Sequence, residues 1–221
     1  MFDVNKVLDA LQNDPNARRT AMAGGGGVAA GFAASMLMGK KGRKMMGKAA
    51  KYGAVAAVGG LAYHAWRRSQ ERRGGDATPS EATQPADYEA APENSAFLPA
   101  PSAEAEQDAL GKAMVRAMIA AAKADGKIDA EEKARIFERL NAMELDADAK
   151  AFVFDELNAP LDLNAVVDAA GTPEHAAEIY AASLVAIEAD TPAEQAYLQM
   201  LAARLELAPE LVEEIHAAAD A

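Results

Sequence analysis

From residue 102 to the C-terminus, apolar side chains return every three or four positions. Leu110, Met114, Ala117, Met118 and Ala121 make one such stripe, and Ile136, Phe137, Leu140 and Met143 make the next. This spacing gathers apolar groups on one face of an α-helix. Phe152, Val153 and Leu157 mark a third helix, capped at Asp146 and stopped before Pro160. Leu163, Val166 and Val167 mark a short fourth that ends at Gly171. Thr172-Pro173 opens a fifth, with Ile179, Ser183, Ala186 and Ile187 on one side. Pro192 opens a sixth carrying Leu198, Leu201 and Leu205, and Pro209 a last one carrying Leu211, Val212 and Ile215. No segment alternates with period two. Residues 105–221 are therefore expected to form an all-α bundle of about seven helices, long enough at ~115 residues to bury its own core.

The N-terminal third has a different pattern. Val4–Leu11 reads as a short helix ended by Asn13-Asp14-Pro15. Residues 21–39 carry no charge and are mostly Gly and Ala, near the length that crosses a bilayer. Gly27, Gly31, Ser35 and Gly39 recur every four residues, a stripe of small side chains that lets a second membrane helix approach and predicts self-association. Lys40, Lys41, Arg43, Lys44, Lys48 and Lys51 follow, then a second apolar run, Tyr52–Trp66, which ends in Tyr63, Trp66, Arg67 and Arg68. Aromatic rings beside arginines are what an interfacial anchor presents. Residues 1–69 are thus expected to be a basic, membrane-associated segment in contact with lipid. The apolar run begins too late for a signal peptide.

Residues 70–104 contain Pro79, Pro85, Pro92, Pro99 and Pro101 among Ala, Glu, Ser and Gly, the composition of a disordered linker. Within it, Ala96-Phe97-Leu98 is a lone apolar patch. Charge follows the same division. Residues 1–75 carry net +9 and residues 76–221 net −21. The acidic body argues against nucleic-acid binding, which needs a basic face, and makes lipid headgroups the nearer partner of the basic segment. The absence of cysteine excludes disulfides, thiolate metal sites and a cysteine nucleophile.

Candidate chemistry lies in two acidic junctions. At Ala121–Glu132, Asp125-Gly126 supplies a turn, with Gly126 free to take φ > 0, and Asp129 with Glu132 has capping-box spacing. At Ile187–Glu194, Thr191 stands at the N-cap, Pro192 at the first helical position and Glu194 at the third. The helices after these junctions overlay at constant offset, Ile136 on Leu198 and Met143 on Leu205, as in a duplicated helix-turn-helix. If the two turns share one end of the bundle, Asp125, Asp129, Glu132, Asp190 and Glu194 converge. Converging carboxylates call for a hard divalent cation such as Ca, Mg or Mn. The simpler reading is capping alone, which needs no ion. The first turn is an incomplete calcium loop, because Ala121 and Lys123 occupy two ligand positions.

Other chemistry is sparse. His64, His175 and His216 lack partners at ligand spacing. Gly24–Gly27 has neither a preceding strand nor a GK[ST] ending, so it is no phosphate loop. Tyr180 and Ser183 read as a polar bridge in a helical core.

The runs ADGKIDAEE at 124–132 and IYAASLVAIEADTPAEQAYLQMLAARLEL at 179–207, with the Gly-rich N-terminal segment and LAYHAW at 61–66, resemble the YebE-like bacterial inner-membrane proteins, a family of unknown function. Their C-terminal domain is similar to the all-helical tellurite-resistance TerB domain. The resemblance implies an inner-membrane location, a link to metal-related stress, and a metal site at Asp125, Glu132, Asp190 and Glu194. It supplies no enzymatic activity. The second junction is three residues shorter than the first, a departure in ligand geometry. The combined expectation is a non-enzymatic, membrane-tethered helical module that binds a protein partner with divalent-cation dependence. A metal-dependent, hydrolase-like enzyme and an oligomerising membrane element are the alternatives.

Overall fold

A computed structural model describes residues 54–73, 91–92, 94–100, 102–126, 147–187 and 189–220. The helix expected at Val4–Leu11, the uncharged run 21–39, the basic cluster 40–51, most of the Pro-rich stretch, the Asp146 cap and the helix expected after Asp129 lie outside these residues. Seven helices are described, and no strand among the described residues: α1 Ala54–Arg73, α2 Glu104–Ala122, α3 Ala147–Asn158, α4 Leu163–Asp168, α5 Pro173–Ala186, α6 Pro192–Arg204 and α7 Pro209–Asp220.

The starts of these helices follow from their first residues. Thr172 accepts a hydrogen bond from the His175 amide at 3.2 Å and Pro173 sits in the first turn of α5. Asp162 accepts from the Asn164 and Ala165 amides at the start of α4. The box at α6 closes in both directions: Thr191 Oγ1 accepts from the Glu194 amide at 3.2 Å, and Glu194 Oε2 accepts from the Thr191 amide at 3.0 Å. Each cap satisfies donors that the helix itself cannot, and contributes about 1 kcal/mol. Turns are set as the sequence indicates at Gly126 (φ +74°) and Gly171 (φ +61°).

Helix α5 is the axis of the body. Every residue from Ala176 to Ala186 is buried, and α1, α2, α6 and α7 all touch it. Five alanines from Ala176 to Ala186 keep its girth small, so neighbours close in on all sides rather than on one stripe. Ser183 donates to the Ala117 carbonyl of α2 at 3.4 Å, which gives the buried hydroxyl an acceptor. Helix α2 in turn carries α3 and α4. Arg116 bonds Glu156 of α3 at 2.7 Å and lies over the Phe152 ring, and Lys123 Nζ donates to the Glu156 and Ala159 carbonyls at the α3 C-terminus. The lysine at a ligand position of the truncated calcium loop therefore caps a neighbouring helix.

The run read from sequence as an interfacial anchor is part of this body. Helix α1 continues through the expected boundary at residues 69–70 and packs against α5 and α7, with Val58, Leu61, Ala62 and Ala65 in the core. Its arginines face acids of α7: Arg72 meets Glu214 at 2.8 Å, Arg68 meets the same carboxylate at 3.9 Å, and Arg73 meets Glu210 at 3.6 Å. Glu214 is 4% exposed, and the two guanidiniums compensate its lost hydration. The described part of the stretch assigned to a linker, residues 91–92 and 94–100, also folds back. Ala91 and Phe97 are buried, and Phe97 stacks edge-on against Tyr63 at 5.7 Å and Trp66 at 5.9 Å. Gln107 ties the end of this stretch to α2 through the Pro99 and Ala100 carbonyls. The apolar patch at 96–98 thus has a function the composition of its surroundings concealed.

Helix α6 ends on a doubly bonded turn, Leu207 N to Ala202 O at 3.0 Å and Glu206 N to Ala203 O at 3.2 Å. That geometry needs a left-handed residue, and Glu206 fills it at φ +54° where glycine is the usual occupant. Glu206 is exposed, so its side chain contributes no core packing. Glu206→Gly is expected to raise unfolding free energy by about 1 kcal/mol, read as a higher urea midpoint at unchanged slope.

Candidate functional site

The acidic residues singled out from sequence meet different fates. Asp125 stands in the turn after α2, directly before Gly126. Asp190 follows Ala189, whose φ of +53° turns the chain into α6. Glu194 bonds its own helix start, with Oε2 taking both the Thr191 amide and hydroxyl, the latter at 2.8 Å. Asp129 and Glu132 lie outside the described residues. Among the described residues no three His, Asp or Glu side chains gather closely enough to hold a metal ion. At Glu194 the structure therefore shows the capping geometry.

The structure assembles something else, around a carboxyl the sequence reading passed over. Glu178 sits in the middle of α5 and is 0% exposed. Neither of its oxygens has a hydrogen-bond partner among the described residues. It faces Gly59 of α1: a Cβ built on that glycine would meet Glu178 Oε1 and the Phe97 carbonyl oxygen, each at 2.9 Å. A side chain at position 59 would collide with both, so the missing methyl permits α1, α5 and the 91–100 segment to meet. Burial pushes the Glu178 carboxyl up from 4.5 to about 9, and the charge of Glu174 one turn earlier adds to the rise. At neutral pH the group is a carboxylic acid, able to donate as well as accept.

Two open grooves flank the axis. One, of about 430 Å³, lies where the end of α1 (Trp66, Ser69, Arg73) meets the α4–α5 and α6–α7 junctions. The other, of about 710 Å³, runs between α5, α6 and α7, with Leu198, Ala202 and Val212 among its apolar lining and Gln199 and Glu213 among its polar lining. In it Tyr180 Oη lies 2.9 Å from His216 Nε2. Burial pushes the Tyr180 phenol up to about 12, which keeps its proton in place beside the imidazole. The pair predicted from sequence, Tyr180 with Ser183, is divided: Tyr180 bonds His216 and Ser183 bonds α2. Each groove is lined by one carboxylate, Glu213 or Glu206.

The family model described as "Protein of unknown function (DUF533)" matches residues 22–219. The chain belongs to the DUF533 family. No curated protein and no solved structure matches it. The DUF533 match begins inside the uncharged run and ends in α7, so the glycine-rich segment, the basic cluster and the helical body are parts of one family unit.

Two signals for Glu178 were present in the sequence. It is the one charged residue between Ala176 and Ala186, and Gly59-Gly60 marks a place on α1 where another element comes close. Neither says which elements meet there. The raised pKa has a thermodynamic consequence. Folding lifts it from 4.5 to about 9, so the folded chain holds a proton that the unfolded chain has already released. The corresponding stability is fully present below pH 4.5 and is lost as pH rises through about 9. Between these limits the loss approaches about 1.4 kcal/mol per pH unit from this group. Urea unfolding at a series of pH values is expected to show this decline in the native chain and a flatter profile in Glu178→Gln.

Proposed function

We propose that this DUF533 protein is a non-enzymatic helical binding module held at a membrane by its N-terminal segment. The observation that carries the reading is continuity. The uncharged run 21–39 and the basic cluster Lys40–Lys51 lead within three residues into α1, and α1 is packed into the body rather than into a spacer. The body would therefore sit close against the lipid surface, not at the end of a long leash. Among the described residues no helix is long and apolar enough to cross a membrane, so attachment depends on the segment ahead of Ala54. The arginines at the end of α1 contribute little to it, since Arg68, Arg72 and Arg73 already have carboxylate partners. The Lys40–Lys51 cluster is the part with charge to offer anionic headgroups.

The resemblance to YebE-like inner-membrane proteins and to the TerB domain agrees with this reading in location and in helical architecture. The binding part of the proposal rests on the 710 Å³ groove, whose aliphatic lining with a few amides and one carboxylate suits recognition better than bond-breaking. Vesicle flotation of the full chain tests the membrane part. The protein is expected to float with vesicles containing phosphatidylglycerol, and replacing Lys40, Lys41, Arg43, Lys44, Lys48 and Lys51 by glutamine is expected to reduce the floated fraction at least several-fold. A chain that stays at the bottom of the gradient with every lipid composition overturns the reading.

A further inference from the structure

We propose that the Glu178 carboxyl is a proton-operated latch: its O–H is donated to the Phe97 carbonyl and fastens the 91–100 segment across α1 and α5, and loss of that proton unfastens the segment. The geometry sets the terms. A carboxylate buried at 0% exposure needs donors, and Glu178 meets none among the described residues. Beside Gly59 stands an acceptor, the Phe97 carbonyl oxygen: it and Glu178 Oε1 would each lie 2.9 Å from a Cβ built on that glycine, so both oxygens border the same small space. Two acceptors cannot bond each other unless one carries a hydrogen, and only the acid form of Glu178 brings one. Ionised, Glu178 would hold a negative charge on the same side of Gly59 as a carbonyl dipole, in a dry site.

The charged neighbours leave that proton as the means of relief. On its own helix Glu174 disfavours ionisation. On α1, Arg67 pairs with Glu71, Arg68 and Arg72 with Glu214 of α7, and Arg73 with Glu210. On α2, Arg116 pairs with Glu156. Residues 94–100 contribute no charge. None of these cations acts on Glu178, whose shift comes from burial and Glu174. Among the described residues the segment is otherwise held by buried Ala91, by Phe97 against Tyr63 and Trp66, and by Gln107 at Pro99 and Ala100. It is consequently the part that yields when the contact turns repulsive, and its departure uncovers Tyr63 and Trp66 on α1. This device stands apart from the membrane reading, since it acts wholly within the described body.

Trp66 is the single tryptophan of the chain and rests on Phe97, so its emission reports the latch directly. In the full-length protein, titration from pH 6 to 10.5 is expected to red-shift Trp66 emission with a midpoint near 9 while helical circular dichroism holds. Glu178→Gln keeps a donor and cannot ionise, and its emission is expected to stay flat over that range. A native chain without the transition, or a Glu178→Gln chain with the same midpoint, overturns the proposal. Hydrogen exchange on the native chain decides the matter if Glu178→Gln lacks helical signal. Amides of residues 94–100, corrected for intrinsic rate, are expected to lose protection by about tenfold per pH unit above the midpoint while α6 and α7 keep theirs. Loss in step with α6 and α7, or none, overturns it.

Discussion

Close approach to α5 is the constraint on which the rest of the body depends. A helix buried on every side must be thin, and alanine supplies the thinness over Ala176–Ala186. Thinness alone would leave α1 too far away, and Gly59 removes the last obstruction where α1 crosses Glu178. Fold and buried carboxyl therefore have one cause. The helices can close around α5 because so little projects from it, and the carboxyl of Glu178 is sealed in by that closure.

The second organising contact is electrostatic and peripheral. The basic end of α1 lies along α7 and meets Glu210 and Glu214, so the first and last described helices hold each other. This ties an N-terminal element into a body that sequence composition would begin some thirty residues later. The stretch from 74 to 103 between α1 and α2 then joins two elements of one body, and Ala91 and Phe97 within it lie in that core. Closing such a connection costs only a few tenths of a kcal/mol more for modest added length.

How much of this could be read from sequence divides along the distance over which each signal acts. Thr172-Pro173, Thr191-Pro192 with Glu194, Gly126 and Gly171 are local signals, and the helix starts and turns they mark stand where they were expected. The stripes at Leu110–Ala121 and Leu211–Ile215 are local too, and are buried. Nothing local separates an apolar helix that meets lipid from one that meets other helices. Tyr52–Trp66 therefore read as an anchor, although α1 from Ala54 onward packs on α5 and α7. Phe97 read as an isolated patch because its partners, Tyr63 and Trp66, lie thirty or more positions away. The burial of Glu178 is set by α1, a neighbour that periodicity does not name. Of the carboxylates picked out at the acidic junctions, Glu194 is described in its capping role, while Asp129 and Glu132 lie outside the described residues.

The position of α1 also settles how mechanical load would enter the molecule. A tail joined to a domain through a slack spacer absorbs tension without disturbing the domain. Here any pull applied upstream of Ala54 is delivered along a helix seated between α5 and α7, and it reaches Gly59 before the arginine contacts farther along. Tension from that direction peels the glycine end first and strains the guanidinium end last, so the body is built to yield from its most closely fitted seam.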